Sequence, residues 1–301
     1  MILVFGSLNV DLSFALPHLP AAGETVLAPG YVPGPGGKGL NQAVAAARAG
    51  AATAMHGRLG DDSFGAMLRR TLAEEGIAAD GVLAGDLPTG CAAIAVAADG
   101  ANLILVGSGA NREARADQVP DAALGPGTTV VLQLEVPVAE TLALAVRARA
   151  RGARVILNAA PAATLPANAL AAVDIVIVNE IEAAMLTGEV DMARAGRRLS
   201  AAPGATAIVT RGGEGALAFV GGRCWQVGVL PIRPVDTVGA GDAFVGVLAA
   251  RLDAGDDLPR ALHAASVGGG LACMAAGAVA AMPTAAAIAA NLGRLAPPIE
   301  V

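Results

Sequence analysis

Two periods of apolar and polar positions alternate along this chain. Short, nearly unbroken apolar runs recur at ILVFG (2–6), TAMHG (53–57), TVVLQL (129–134), RVILNAA (154–160), DIVIVN (174–179) and TAIVT (206–210). Runs of this length bounded by turn residues read as buried strands. Between them, apolar residues return at helical spacing over about 39–49, 62–75, 138–151, 180–187, 191–201, 240–253, 259–275 and 284–292. Asp62 or Ser63 is placed to cap the second of these helices. Strands alternating with helices predict an α/β fold with a mainly parallel sheet covered on both faces.

Two segments break the alternation. Residues 7–33 contain Pro17, Pro20, Pro29 and Pro33 and read as extended, irregular chain. Residues 89–111 hold two apolar runs around Asp99-Gly100, a strong hairpin signal. Together they predict a small β flap beside the main sheet. A second hairpin is expected where GALAFV and CWQVGV flank Gly221-Gly222. No linker divides the chain and no segment repeats, so residues 1–301 are expected to form a single domain.

Composition narrows the possibilities. The 301 residues are 54% hydrophobic and 15% charged, enough for a sizeable core. A net charge of −6 without a basic block, and an aromatic content of 2%, argue against nucleic-acid binding. Cys91, Cys224 and Cys273 are far apart and form neither a disulfide framework nor a zinc motif, which fits reduced thiols in the cytoplasm. The N-terminus lacks the basic region of a signal peptide. The stretch between Arg260 and Arg294 carries no Asp, Glu, Lys or Arg, but Pro283, His263, Ser266 and Thr284 interrupt it, so buried helices are expected there and no membrane span.

Ligands of open α/β sheets sit beyond the carboxyl ends of strands. That rule makes Asn9, Asp11, Glu135, Asn158, Asn179, Thr210 and Asp236 candidates. Four motifs sharpen it. PGPGGKGLNQ (33–42) spells G-x-G-x-x-G and contains Lys38, the only lysine. A dinucleotide fingerprint must follow a strand directly, and the proline-rich residues before it argue against one. The phosphate-loop pattern fails because Gly39 follows the lysine. The glycines then bring backbone close to a ligand, with Lys38 and Asn41 facing it, or simply make a tight turn before a helix. VDTVGAGDAF (235–244) sets Gly239, Ala240 and Gly241 at a helix start, where free N–H groups form an anion hole beside Asp242. Such a pairing suits phosphoryl transfer to a hydroxyl, although a carboxylate there also stabilises a bare helix start. Asn179 and Glu182 lie three apart at a strand-to-helix junction and could order a hydrated Mg²⁺ or form an ordinary capping arrangement. TRGGEGAL (210–217) could carry a nucleotide on its backbone or be a hairpin entry.

In order and spacing these elements resemble the ribokinase family of sugar kinases over nearly the whole chain. GSLNVD (6–11), GGKGLNQAVAAARAGA (36–51), LQLE (132–135), LNAAPA (157–162), NEIE (179–182) and DTVGAGDAF (236–244) carry the resemblance. It implies a three-layer α/β/α fold with a β lid from about 11–33 and 88–107, clasping a second lid in a homodimer. It implies a cytoplasmic ATP:D-ribose 5-phosphotransferase. Asn9, Asp11, Gly37, Lys38, Asn41 and Glu135 would hold the sugar. Asp242 would be the general base, with Gly239, Ala240 and Gly241 as the anion hole. Asn179, Thr210, Arg211, Gly212, Gly215, Gly241 and Ser266 would line the nucleotide, and Asn179 with Glu182 would order the water around Mg²⁺. Asp236, Val238, Ala272, Ala275, Gly277 and Ala281 match the positions that hold K⁺. Two departures stand out: Ala281 replaces a residue that is often serine, and Ser266 one that is often asparagine. Another kinase of this family, acting on deoxyribose, a ketohexose or a nucleoside, is the alternative. A non-catalytic sugar-binding regulator would be expected to lose Asp242 or the GAG turn, and both are present.

Overall fold

The computed structural model describes residues 1–99 and 101–301. In chain order it forms β1 (Ile2–Phe5), β2 (Asn9–Leu16), β3 (Val32–Gly36), α1 (Lys38–Arg48), β4 (Thr53–Leu59), α2 (Ser63–Glu74) and β5 (Ala78–Ala84). Then follow β6 (Gly90–Ala97), β7 (Asn102–Gly107), β8 (Thr129–Leu132), α3 (Val138–Ala150), β9 (Arg154–Asn158), β10 (Ile175–Asn179), α4 (Glu180–Thr187) and α5 (Met192–Leu199). The last third contains β11 (Thr206–Thr210), β12 (Ala216–Val220), β13 (Arg223–Val227), α6 (Ala240–Asp253), α7 (Leu258–Ala272), α8 (Ala278–Ala281), α9 (Ala285–Asn291) and β14 (Ile299–Glu300).

The main sheet runs β14-β13-β12-β11-β10-β9-β8-β1-β4-β5. It is parallel from β11 through β5, and β12 to β14 extend it antiparallel. β1 shows why it is central: Ile2 and Val4 face one core, Leu3 and Phe5 the other, and all four are fully buried. Side chains alternate across a strand, so an unbroken apolar run fills both layers at once. The chain leaves β1 for β4 on one side, whereas β8 lies on the other. The strand order therefore reverses between β1 and β8, the position where an α/β sheet opens a crevice for ligands.

The second sheet has the order β3-β2-β6-β7. Here the structure corrects part of the expectation of irregular chain over 7–33: residues 17–31 are irregular, but strands flank them. β2 is a regular strand, paired in parallel with β6 from Asn9↔Gly90 to Leu16↔Ala97. β3 is a strand despite Pro33 and Pro35, because it is an edge strand, where a residue without N–H is tolerated. The hairpin strands β6 and β7 are antiparallel as expected, although Gly100 of the anticipated turn lies outside the described residues. β5 was not anticipated; as an edge strand interrupted by Asp80 and Gly81 it has no continuous apolar run to betray it. Likewise unanticipated are the short helix α8 and strand β14. The stretch between Arg260 and Arg294 lies in α7, α8 and α9 and their connections, and no helix among the described residues is long and apolar enough to cross a membrane.

α6 packs against α1 on one side and α7 on another, with small residues at both contacts. A Cβ on Gly246 of α6 would lie 2.5 Å from the carbonyl oxygen of Gln42 and 2.5 Å from Cβ of Ala45. This close approach of α1 to α6 brings together side chains from residues about forty and two hundred and forty along the chain.

Candidate active site

Past Phe5 the chain crosses from the main sheet to the small one through Gly6-Ser7-Leu8, and α1 begins against this crossing. A Cβ on Gly39 would meet both the nitrogen and the oxygen of Ser7 at 2.6 Å. Gly37 has φ +88, and its Cβ would come 2.8 Å from the Asn9 nitrogen. A Cβ on Gly36 would collide with the Asp11 carboxylate. The glycines of GGKG thus let two backbone segments touch, which sets Asn9 and Asp11 beside Lys38 and Asn41. Contrary to the sequence expectation, a strand does run directly into this helix. It is β3, an antiparallel edge strand of the small sheet, and not the parallel strand of a βαβ unit that a dinucleotide fingerprint requires.

Glu135, three residues beyond β8, joins the cluster. Its Oε2 accepts the Ser7 hydroxyl at 2.6 Å and the Lys38 backbone N–H at 3.1 Å. It thereby supplies the start of α1 with the acceptor that Gly37 cannot. Asn111, which sequence reasoning missed, clasps the other side. It is buried, its Oδ1 accepts Leu8 N–H at 2.9 Å, and its Nδ2 donates to Leu8 O at 3.1 Å and Asn9 Oδ1 at 2.7 Å. With Oδ1 engaged, the Asn9 amide keeps its donor for a ligand.

The charges here are strongly coupled. Burial, followed by the charges of Glu135 and Asp242, pushes the Asp11 carboxyl up to about 7. Lys38 is the cation among them: attraction to Asp242, then to Glu135 and Glu182, raises its ammonium above the usual lysine value against the opposing effect of burial. Burial likewise lifts Glu182, opposed by its bond to the Asn179 N–H and by Lys38.

Asp242 stands in the first turn of α6 and is buried. It does not cap its own helix. Its Oδ2 accepts Asn41 Nδ2 at 2.9 Å and its Oδ1 accepts Gln42 Nε2 at 2.8 Å, both from α1. At the N-cap, Gly239 has φ +77 and no side chain caps the helix. The Ala240 N–H reaches back to the Thr237 carbonyl at 3.3 Å, and the turn leaves the N–H groups of Gly239 and Gly241 available at the positive end of a helix dipole, beside a carboxylate held from elsewhere.

On the far side of that turn lies a cavity of about 500 Å³. Asn179, Thr210, Gly212, Gly215, Ala240, Gly241 and Ser266 line it. Sequence reasoning missed its apolar wall, formed by Val229, Leu230, Ile232 and Phe244. Arg211 is absent from the lining, and its guanidinium turns back to Glu214. Ser266 gives its hydroxyl to the Gly228 carbonyl, so it builds the wall. A Cβ on Gly241 would meet nothing within 4 Å. Its smallness answers no contact inside the protein and leaves the mouth of the cavity open at the helix start.

Asn179 and Glu182 form a reciprocal capping box: Asn179 Oδ1 accepts Glu182 N–H at 2.9 Å, and Glu182 Oε2 accepts Asn179 N–H at 2.8 Å. No group of three or more His, Cys, Asp or Glu able to hold a metal occurs among the described residues. A Mg²⁺ that arrives on nucleotide phosphates and keeps several waters needs no such group. Asp236 joins the segments expected to hold K⁺: its Oδ1 accepts Val238 N–H at 3.0 Å and its Oδ2 accepts Gly277 N–H at 2.9 Å. Ala272 closes α7, Ala275 is exposed in the turn beyond it, and Ala281 in α8 offers only a methyl group.

A model of the pfkB family of carbohydrate kinases matches residues 1–285. Ribokinase from Bacillus subtilis is 34% identical over 289 residues, 94% of this chain and 96% of that protein. Deoxyribokinase from Salmonella typhi is 37% identical over 260 residues, 82% of this chain and 84% of that protein. Arabidopsis thaliana ribokinase, solved in complex with ribose and ATP, superimposes with a TM-score of 0.87 at 29% identity, covering 97% of this chain and 98% of that one.

Proposed function

Since the chain belongs to the pfkB carbohydrate kinase family and is a sugar kinase, we propose that it transfers the γ-phosphoryl group of ATP to the primary hydroxyl of D-ribose, giving ribose 5-phosphate and ADP. One observation carries the reading: Asp242 is held by two amides of α1 at the turn separating the Asp11, Lys38 and Glu135 cluster from the 500 Å³ cavity. A base at that junction meets a sugar on one side and a phosphate chain on the other.

In this mechanism Asn9, Asp11, Gly37, Lys38, Asn41 and Glu135 pair the sugar hydroxyls. A site whose buried polar groups each need a partner rejects analogues that lack one. Asp242 accepts the proton of the primary hydroxyl as it attacks. The N–H groups at Gly239, Ala240 and Gly241 steady the charge on the transferred phosphoryl group. Thr210, Gly212 and Gly215 line the nucleotide at the ends of β11 and β12, with Arg211 beside them, while the apolar wall and Ser266 flank its base. Mg²⁺ bound with the nucleotide would neutralise phosphate charge, and Asn179 with Glu182, paired at the start of α4, would order the water around it. For K⁺, the Asp236 carboxylate holds the 236–238 and 277 segments together so that their carbonyls can serve the ion. Ala281 contributes no hydroxyl, which weakens that site.

The small sheet is the lid in this reading. β7 leaves Leu103, Ile104, Leu105 and Val106 exposed, a patch that favours clasping the lid of a second copy in a homodimer. Three free thiols fit a cytoplasmic setting. A deoxyribose kinase is the second reading, favoured by the 37% identity to a deoxyribokinase. A nucleoside is disfavoured because Phe14 and Tyr31, the aromatics available to stack a base, face each other with centroids 5.7 Å apart.

The test is ADP release with D-ribose, 2-deoxyribose, fructose and a nucleoside, with and without K⁺. The highest kcat/KM is expected on ribose, raised by K⁺. Turnover confined to a nucleoside or a ketohexose would sink the ribose assignment.

A further inference from the structure

We infer that Gln42 is the positioning residue that aims Asp242 at the sugar hydroxyl, and that Gln133 holds Gln42 through a buried relay of amides. The inference rests on the reading of Asp242 as the base.

The relay is continuous. Gln42 Nε2 donates to Asp242 Oδ1 at 2.8 Å and to Asn158 Oδ1 at 3.0 Å. Gln42 Oε1 accepts Gln133 Nε2 at 2.7 Å. Asn158 Nδ2 donates onward to the Ile177 carbonyl at 3.3 Å. Gln42 and Gln133 are fully buried, and Asn158 and Asp242 nearly so.

Its polarity has a single solution. A carboxylate only accepts, so the amide edge facing Asp242 must be the NH₂ of Gln42. Both donors of that NH₂ are then used, one on Asp242 and one on Asn158. The Gln42 carbonyl is left to accept from Gln133, and every member falls into orientation from the charge at one end. The surrounding backbone is shaped to the relay. A Cβ on Gly6 would strike Gln133 Oε1, and Gly246 lets α6 approach Gln42 closely enough for the contact.

This arrangement does something that a neutral core does not require. Asn41 and Gln42 each hold one oxygen of Asp242, which fixes the plane of the carboxylate and leaves lone pairs for an incoming hydroxyl. The charged groups that act on Asp242 or are acted on by it are Lys38, Asp11 and Glu182. None of them bonds to Asp242 in the structure, so orientation falls to the two amides. Misplacing a reacting group by about 1 Å costs on the order of 10²-fold in rate, and a freed carboxylate can rotate that far.

The experiment is a double-mutant cycle in the full chain, measuring kcat, both KM values, ribose affinity by calorimetry and thermal melting. Gln42→Leu is expected to lower kcat about 10- to 100-fold with both KM values within about threefold. Gln133→Leu, which touches neither Asp242 nor substrate, is expected to lower kcat about threefold or more at unchanged KM. In the Gln42→Leu background it should add nothing, because the relay is already broken. Wild-type kcat in either variant, a loss confined to KM, or simple additivity would overturn the inference. Where Gln42→Leu fails to fold, kcat and KM of Gln133→Leu decide alone. Asp242→Asn runs alongside: if it keeps turnover, the reading of the base fails and the relay with it. If it loses turnover while the glutamine variants behave as wild type, only the relay is wrong.

Discussion

Asn41 donates to Asp242 over 2.9 Å, while its own Oδ1 is buried without a partner among the described residues. A buried carbonyl left unpaired costs about 1–3 kcal/mol, so an acceptor kept waiting beside the proposed base points to a ligand hydroxyl. Asn41→Leu removes both functions of the amide. It is expected to raise the ribose KM at least about tenfold and to lower kcat in the same variant, with the ATP KM little changed. Steady-state kinetics in both substrates check this; a change in the ATP KM alone would contradict it.

Gly241 separates a requirement of the ligand from one of the fold. Since a Cβ there meets nothing, Gly241→Val should melt within about 0.5 kcal/mol of wild type, as open surface positions do. The side chain would occupy the anion hole, so kcat/KM for ATP should fall at least about tenfold. A destabilised but kinetically normal variant would mean that the glycine serves packing.

Asp11 gives the unliganded protein a pH signature. Its carboxyl is raised from 3.8 to about 7 in the fold, by burial and by the Glu135 and Asp242 charges. Below 3.8 both folded and unfolded chains are protonated and the contribution is fully present. As pH rises, the unfolded chain ionises first, and stability drains away until the folded group ionises near 7. Asp11→Asn should therefore gain stability over wild type progressively across that window, by about 1–3 kcal/mol at pH 8. Melting both proteins from pH 4 to 8 tests it, and a difference that stays constant would refute the coupling. The same variant should bind ribose poorly.

Asn111 is expected to act on the sugar alone. Asn111→Leu frees the Leu8 N–H and the Asn9 amide, costing about 1–3 kcal/mol of stability. The ribose KM should rise about tenfold or more and the ATP KM less than threefold. Equal effects on both would show a general loss of structure.

How much of this was legible depended on whether chemistry left a pattern in the chain. The parallel sheet was legible because strands buried on both faces leave unbroken apolar runs. The uncapped start of α6 was legible because a helix start without a side-chain cap leaves glycines. β2 was obscured by its neighbours: Val10, Leu12, Phe14 and Leu16 alternate as a strand should, but the prolines after them dominated the reading. Gln42, Gln133 and Asn111 were missed for a different reason. Uncharged amides have no diagnostic spacing, and only the fold shows which of them are buried with a carboxylate or a backbone amide to serve. The one available signal was a lone glutamine entering the apolar run AVAAA of α1. Of the cavity's apolar wall, Val229, Leu230 and Ile232 follow β13 without any periodicity and Phe244 belongs to the buried run of α6, so neither part could be told from ordinary core.

The most direct test of the whole account is the turnover of Asp242→Asn on ribose with saturating ATP, measured as ADP release. Asparagine keeps the shape of the side chain and removes its capacity to take a proton. Turnover is expected to fall by about 10²–10⁴-fold while calorimetry still detects ribose and ATP binding. Near wild-type turnover in that variant would contradict the assignment of Asp242 as the base.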